Sequence, residues 1–122
     1  MQRIPEPELM DSEPQVQAYA NGDFAEPHQQ FIDRFAIRFG DSSPTGWVLD
    51  LGCGAGDITL RFAHSFPGCR LQGVDAGPNM LSCARTAIER AGLTDRIELH
   101  QAKLPDCELP RIYYDAIISN SL

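Results

Sequence analysis

The sequence predicts an α/β fold, in which the strands of a parallel sheet alternate with helices. Two observations support this prediction. From Trp47 onward, short apolar runs of strand length alternate with longer segments of helical periodicity. A glycine-rich loop, Gly52 to Gly56, follows the first apolar run, where open α/β sheets hold their ligands. Because strands separated by helices are joined by right-handed crossovers, we expect the strands to be parallel. The 122 residues have room for one domain at most.

Residues 1–46 are predicted to form a helical lead-in that precedes the α/β part, residues 47–122. A short helix is expected from Gln15 to Asn21, and a clearer one begins near Pro27 and ends before Gly40. Apolar residues of the second helix share one face, as expected of a core stripe. They are Phe31, Ile32, Phe35 and Phe39.

Four strands and two helices are predicted after this lead-in. The strands are Trp47–Leu51, Arg70–Val74 with Asp75 at its end, Ile97–His100 and Asp115–Ser119. The helices are Asp57–Phe66 and a segment that opens at Gly77–Pro78 and closes at Gly92. The 14-residue link 101–114 reaches roughly 46 to 50 Å when extended, whereas crossing three strand spacings needs about 15 Å. The fourth strand can therefore return beside the first, which gives the order 3-2-1-4.

Composition and charge exclude several classes of function. Ten Lys and Arg against seventeen Asp and Glu give a net charge of −7, which disfavours a nucleic-acid backbone or an anionic membrane as partner. The N-terminus lacks the apolar segment of a secretory signal, so we expect a cytoplasmic protein with reduced cysteines. The sequence contains no Cys-x-x-Cys pair, so it does not suggest a metal site. The three histidines lie too far apart in the sequence to predict a catalytic constellation.

The glycine-rich loop predicts a ligand site. Glycines at alternate positions 52, 54 and 56 let a ligand approach the backbone, because no Cβ stands in the way. A dinucleotide fingerprint would place its third glycine at position 57, where this chain has Asp57, and that carboxylate would repel a pyrophosphate. Asp50 adds a second carboxylate. The pattern therefore favours a ligand without phosphates that carries positive charge.

Asp75 ends the second strand, 23 residues after Gly52. A carboxylate at this place can accept hydrogen bonds from both hydroxyls of a ribose. The alternative is a cap for the helix that opens at Gly77–Pro78. Together with the glycine-rich loop, the ribose interpretation is favoured.

These motifs resemble class I S-adenosylmethionine-dependent methyltransferases. Val48–Gly56 looks like the glycine-rich motif of this family, and Gly73–Asp75 looks like its acidic end of strand two. Gln101–Pro105 and Tyr114–Asn120 are similar to its segment after strand three and its strand-four motif. The resemblance implies a three-layer Rossmann-like fold, S-adenosylmethionine as cofactor and methyl transfer as the reaction.

The resemblance also implies a cofactor site. Its residues fall into four groups: Asp50, Gly52, Cys53, Gly54 and Gly56 at the methionine portion and sugar, Asp75 at the ribose, Ala76, Gln101 and Ala102 at the adenine, and Ser119 and Asn120 at the amino-acid part. Gln101 stands where the family more commonly has Asp, and its amide oxygen can still accept from the adenine amine. The sequence identifies no catalytic residue.

The family's sheet has seven strands, whereas this chain supplies four. We therefore expect the N-terminal part of a longer methyltransferase, truncated before its C-terminal strands and inactive on its own if that region is required. A further C-terminal region or an oligomer is expected to cover the edge of the fourth strand. A small molecule is the expected methyl acceptor.

Two alternatives from other classes stay open. One is an NAD-dependent oxidoreductase, which Asp75 suits but Asp50 and Asp57 do not. The other is a non-catalytic cofactor-binding module or fragment.

Overall fold

The structure, a computed structural model, describes residues 25–40, 43–103 and 113–119. The predicted helix 15–21 and most of the link after the third strand lie outside this part of the chain. The described residues form three helices and four strands. In chain order these are α1 (Ala25–Phe39), β1 (Trp47–Leu51), α2 (Asp57–Ser65), β2 (Arg70–Asp75), α3 (Pro78–Ala91), β3 (Ile97–Gln101) and β4 (Ala116–Ile118).

The four described strands form one parallel sheet in the order β3-β2-β1-β4. This confirms the predicted fold class and the predicted return of the fourth strand to the far side of the first. Val48 of β1 lies opposite Leu71 of β2 and Ala116 of β4, and Asp75 lies opposite Gln101. Because all four strands run in the same direction, their carboxyl ends meet at a single edge of the sheet.

A buried cluster lies between one face of this sheet and the three helices. Alternate strand residues point to the same face, and one residue from each strand joins a single buried cluster. The strand members are Val48, Leu71, Ile97 and Ile118, and the helices add Ile32, Ile58, Phe62, Ala63 and Ile88. The helices of the described residues thus supply one helical layer of the predicted three-layer arrangement.

The aromatic stripe of α1 packs against this core, as predicted. The ring centroids of Phe35 and Phe62 lie 5.8 Å apart, and those of Phe39 and Phe66 lie 5.5 Å apart, both with edge-to-face geometry. These contacts align α1 with α2 along the same direction. No helix among the described residues has the length and apolar character needed to cross a membrane.

The observed element boundaries differ slightly from the predicted ones. Helix α1 is described from Ala25, two residues before Pro27, and Gly40 follows it with a φ of 56°. Strand β4 is shorter than predicted by one residue at each end, because neither Asp115 nor Ser119 belongs to it. The Asp115 carboxylate instead accepts a hydrogen bond of 2.7 Å from the Gly46 N–H, which ties the start of β4 to the start of β1. Ile117 in β4 is 60% exposed.

Candidate functional site

The carboxyl edge of the sheet brings the predicted site residues together. The loop 52–56 follows β1. Asp75 ends β2 and Gln101 ends β3, each followed by an alanine, Ala76 and Ala102, and Ser119 follows β4. Asn120 lies outside the described residues. A site at this edge, where β1 lies between β2 and β4, is the usual ligand position of an open α/β sheet.

The glycine-rich loop is tied to the end of β2. The N–H groups of Gly52 and Cys53 both donate to the Val74 carbonyl, at 2.7 and 3.0 Å. Gly52, Gly54 and Gly56 have φ angles of 71°, 55° and 90°, in the left-handed region that side chains rarely adopt. A Cβ at Gly56 would also lie 3.1 Å from the Cβ of Ala84. The loop therefore requires glycine for its backbone path as well as for access by a ligand.

Asp75 connects this loop to the start of α3. Its carboxylate accepts hydrogen bonds from the Gly54 N–H at 3.2 Å and the Gly77 N–H at 3.0 Å. The second bond corresponds to the predicted local role at the helix entry. The two interpretations of Asp75 are compatible, because a carboxylate offers about four acceptor positions. The first bond fixes its orientation relative to the loop.

Asp50 occupies a different environment from the one expected. The sequence suggested a carboxylate that faces the ligand, but the Asp50 side chain is 2% exposed and accepts a 2.6 Å hydrogen bond from the Thr59 hydroxyl of α2. Burial raises the pKa of Asp50 to about 7, against the opposing effect of the Thr59 bond and with a smaller contribution from the charge of Asp75. Asp50 therefore stabilises the loop indirectly, because its bond to Thr59 joins β1 to α2 on either side of the loop. Thr59 was missed, although it is a hydroxyl on an otherwise apolar helix face.

Cys53 fills space inside the loop. It is buried against β2, and a Cβ at Gly73 would lie 2.9 Å from the Cys53 Sγ. Burial, followed by the charges of Asp50 and Asp75, raises the pKa of the Cys53 thiol well above its ordinary value. The side chain is therefore a neutral thiol at physiological pH, which fits the predicted role of a small filler rather than a nucleophile.

At the end of β3 the polar groups bond to β2. The Gln101 side-chain amide donates to the Ala76 carbonyl at 3.4 Å, an arrangement in which its oxygen is the atom suited to accept from an adenine amine. The Ala102 N–H donates to the Asp75 carbonyl at 3.0 Å. A contact of Ala102 with adenine through this N–H would therefore have to share or break a sheet hydrogen bond.

A polar cluster that the sequence did not predict lies beside the loop. The Asp57 carboxylate lies 2.5 Å from His28 Nδ1 of α1 and accepts a 2.8 Å hydrogen bond from Arg61 Nε. Arg61 also donates to the Gln29 side-chain oxygen at 3.0 Å. Partial burial would raise the pKa of Asp57, but the bonds from Arg61 and then His28 outweigh it and hold the pKa below its ordinary value.

This cluster alters the charge that Asp50 and Asp57 present beside the loop. Asp50 is buried against Thr59, and the charge of Asp57 is balanced by Arg61. Asp57 is therefore weaker evidence against a phosphate ligand than the sequence suggested. Within residues 25–40, 43–103 and 113–119, no group of three or more His, Cys, Asp or Glu side chains could hold a metal ion.

The sheet order, the glycine-rich loop and the acid at the end of β2 define a Rossmann-like cofactor-binding domain. Residues 48–122 match the family described as a methyltransferase domain, and the chain belongs to this family. The resemblance to class I S-adenosylmethionine-dependent methyltransferases is thereby confirmed. Membership implies S-adenosylmethionine as the cofactor.

Three similar proteins illustrate the family. The chain is 36% identical over 89 residues to a release factor glutamine methyltransferase of Rhodopirellula baltica, which covers 73% of this chain and 30% of that protein. It is 40% identical over 73 residues to a U6 snRNA (guanine-N(2))-methyltransferase of Mus musculus, covering 60% and 14%. The fold is similar to coclaurine N-methyltransferase bound to N-methylheliamine and SAH, with a TM-score of 0.67, 24% identity and coverage of 95% and 35%.

The chain thus spans about a third or less of the length of these relatives. Their names include a protein, an RNA and a small molecule among the molecules on which they act or which they bind.

Proposed function

We propose that this chain is the cofactor-binding part of an S-adenosylmethionine-dependent methyltransferase. The observation that carries the proposal is the Asp75 carboxylate, which is bonded to the N–H groups of Gly54 and Gly77. These bonds hold a ribose acceptor and the backbone of a glycine-rich loop in one fixed arrangement. The family match favours this function over the alternative of an NAD-dependent oxidoreductase.

The residues at the sheet edge have the chemistry that this cofactor needs. Gly52, Gly54 and Gly56 leave room for the methionine portion and sugar, with Cys53 filling the loop from within. Asp75 accepts from the ribose hydroxyls. The remaining proposed contacts are Ala76, Gln101 and Ala102 around the adenine and Ser119 and Asn120 near the amino-acid part. Asp50 contributes through Thr59, by holding the start of α2 under the loop.

When bound, S-adenosylmethionine supplies an electrophilic methyl group on a sulfonium that leaves as a neutral thioether. The chain's own contribution is to bind and orient the cofactor, because alignment of reacting groups lowers a barrier by roughly 7 to 11 kcal/mol. We propose residues 47–122 as the cofactor-binding unit and residues 1–46 as a lead-in over the cofactor. Within that lead-in, Ile32 of α1 is already part of the common core.

The acceptor is proposed on charge alone. A net charge of −7 is unfavourable for contact with a phosphate backbone, which supports a small-molecule acceptor over RNA. The relatives act on several acceptor classes and therefore do not discriminate among them. Methylation assays that offer small acids and amines, RNA, and protein fractions in parallel would test this part. Methyl incorporation confined to RNA would contradict it.

The cofactor proposal is tested by calorimetric titration with S-adenosylhomocysteine, with NAD in parallel. We expect the wild-type chain to bind S-adenosylhomocysteine selectively. Asp75→Ala should weaken binding by roughly 10- to 100-fold, because hydrogen bonds to charged groups contribute about 1.5–3 kcal/mol. Asp95→Ala removes an exposed carboxylate between α3 and β3 and is the matched control.

Two results would count against the cofactor proposal. Tight NAD binding without S-adenosylhomocysteine binding would favour an oxidoreductase. Equal affinity of wild type and Asp75→Ala for S-adenosylhomocysteine would show that Asp75 does not bind the ribose. Binding without methyl transfer, restored to turnover by a second polypeptide, would support the non-catalytic module.

A further inference from the structure

Among the described residues, bonds hold the glycine-rich loop at its start, at its middle and at its far end, and the bond at the far end involves α1. Its start is bonded to the Val74 carbonyl and its middle to Asp75. Its far end, Gly56, leads directly into Asp57, the first residue of α2. The Asp57 carboxylate lies against His28 Nδ1 at 2.5 Å, so the end of the loop is bonded to a neighbouring helix.

We propose that His28 is a positioning residue for the cofactor site, because it fixes Asp57 and through it the far end of the glycine-rich loop. This inference depends on the proposed function. A carboxylate can only accept hydrogen bonds, so the Nδ1–H of His28 is the donor in this contact. His28 thereby transmits the position of α1 to the loop without itself touching the cofactor.

Burial distinguishes His28 from the other partner of Asp57. The His28 side chain is 6% exposed, whereas Arg61 is 28% exposed and Asp57 is 44% exposed. Arg61 lies one turn along the same helix as Asp57, so their pair is local and contributes little to the position of the helix. His28 bridges two helices, and a buried polar ring without its partner would be unfavourable.

The opposite end of the α1–α2 contact makes this positioning role separable from folding. Phe35 packs on Phe62 and Phe39 on Phe66, away from the loop. These rings keep α1 on α2 when the bond between His28 and Asp57 is lost. We therefore expect a variant of His28 to loosen the loop while the chain stays folded.

Three substitutions separate positioning from packing. His28→Leu replaces the ring with an apolar side chain of comparable size and removes the donor. His28→Asn keeps an N–H donor close to the place of Nδ1. Gln29→Ala breaks the second bond between the helices, the one from Arg61, at a partly exposed position. His64→Ala, an exposed histidine of α2, is the matched control.

The readouts are the dissociation constant for S-adenosylhomocysteine and the thermal unfolding midpoint. We expect His28→Leu to weaken binding about tenfold, the size of one hydrogen bond to a charged group, and His28→Asn to restore most of it. Gln29→Ala should weaken binding by a smaller factor, and His64→Ala should leave it unchanged. If His28→Leu does not fold, the comparison of Gln29→Ala with His64→Ala decides.

The outcomes separate this inference from the proposed function. If wild type binds S-adenosylhomocysteine but His28→Leu and Gln29→Ala change only the unfolding midpoint, the positioning role is overturned and the proposed function stands. If folded wild type does not bind, the proposed function is overturned, and the inference is overturned with it. Weakened binding by His28→Leu with rescue by His28→Asn supports both.

Discussion

The two ends of the contact between α1 and α2 differ in chemistry. At the end away from the site, the rings of Phe35 and Phe39 pack on those of Phe62 and Phe66. At the end next to the glycine-rich loop, Asp57 is bonded to His28 and Arg61. The aromatic end, as we call the first, buries apolar surface. The polar end, the second, consists of directional bonds.

This difference indicates a division of roles along one helix pair. Apolar burial is non-directional and supplies most of the stability of a fold. Hydrogen bonds depend on distance and angle and therefore fix positions, although each adds little net stability. We expect the aromatic end to determine whether the chain folds and the polar end to determine how the loop is placed. The four predictions that follow test this division.

The largest effect is expected at the aromatic end. Phe62 is fully buried and contacts both Phe35 and Phe66. Phe62→Ala should lower the free energy of unfolding by about 3–5 kcal/mol, because it leaves a cavity in the core. Urea denaturation measures this loss, and Ile37→Ala, at an exposed position of α1, is the control. A loss below about 1 kcal/mol would contradict the assignment of the aromatic end as the main source of stability.

The second effect is expected where the loop enters α2. Gly56→Ala places a side chain at a φ of 90° and 3.1 Å from the Ala84 Cβ, so we expect a loss of about 1–3 kcal/mol and weaker binding of S-adenosylhomocysteine. Gly92→Ala is the matched control, since Gly92 also has a positive φ but has no atom within 4 Å of such a Cβ. Equal effects of the two substitutions on binding would contradict the special role of the loop.

The third effect concerns Asp50 and appears as a pH dependence. Its pKa is raised to about 7 in the folded chain, so between its ordinary pKa and this value the folded chain binds more protons than the unfolded chain. The Asp50 contribution to the unfolding free energy therefore falls as pH rises through this window, by at most about 1.4 kcal/mol per pH unit. Asp50→Asn should remove this slope in urea titrations across that range.

Asp95→Asn, at an exposed position, is the control for this series. The Asp57 contribution to stability has the opposite pH dependence and changes at lower pH. Its lowered pKa adds stability that is present above the ordinary pKa of aspartate and is lost as pH falls through the lowered value. An Asp50→Asn variant with the same slope as wild type between the ordinary pKa and 7 would contradict the raised pKa of Asp50.

The smallest effect on stability is expected at the polar end. Arg61→Ala removes a partly exposed ion pair with Asp57 one turn away, which should cost only about 0.3–1 kcal/mol. Because salt screens such pairs, the loss should shrink at high ionic strength. Thermal unfolding at low and high salt measures it. A loss as large as that of Phe62→Ala would contradict the division between the two ends.

Much of the fold could be predicted from the sequence. The strands and the glycine stops after α1 and α3 follow from local periodicity, and the order 3-2-1-4 follows from right-handed crossovers and the reach of the last link. The bond that the Asp115 carboxylate accepts from Gly46, just before β4, could not be predicted, because the two residues are distant in the sequence.

The candidate site was predictable where it depends on position along a strand. The loop and Asp75 follow strand ends, so their neighbourhood follows from a parallel sheet. The environment of Asp50 depends on which face of α2 carries Thr59, and the role of His28 depends on how α1 packs against α2, 29 residues away. Periodicity indicates that a helix face is buried, but it does not identify the partner of each polar side chain.

Backbone amide chemical shifts of the folded chain, followed as S-adenosylhomocysteine is added, test the central claim most directly. Gly54 and Gly77 share Asp75 as acceptor, so we predict that their amide signals shift together and saturably with those of Gly52. The Gly92 signal, at the end of α3 and outside the site, should stay unchanged. Shifts confined to residues elsewhere in the chain, with the Gly54 and Gly77 signals unmoved at saturation, would contradict the account.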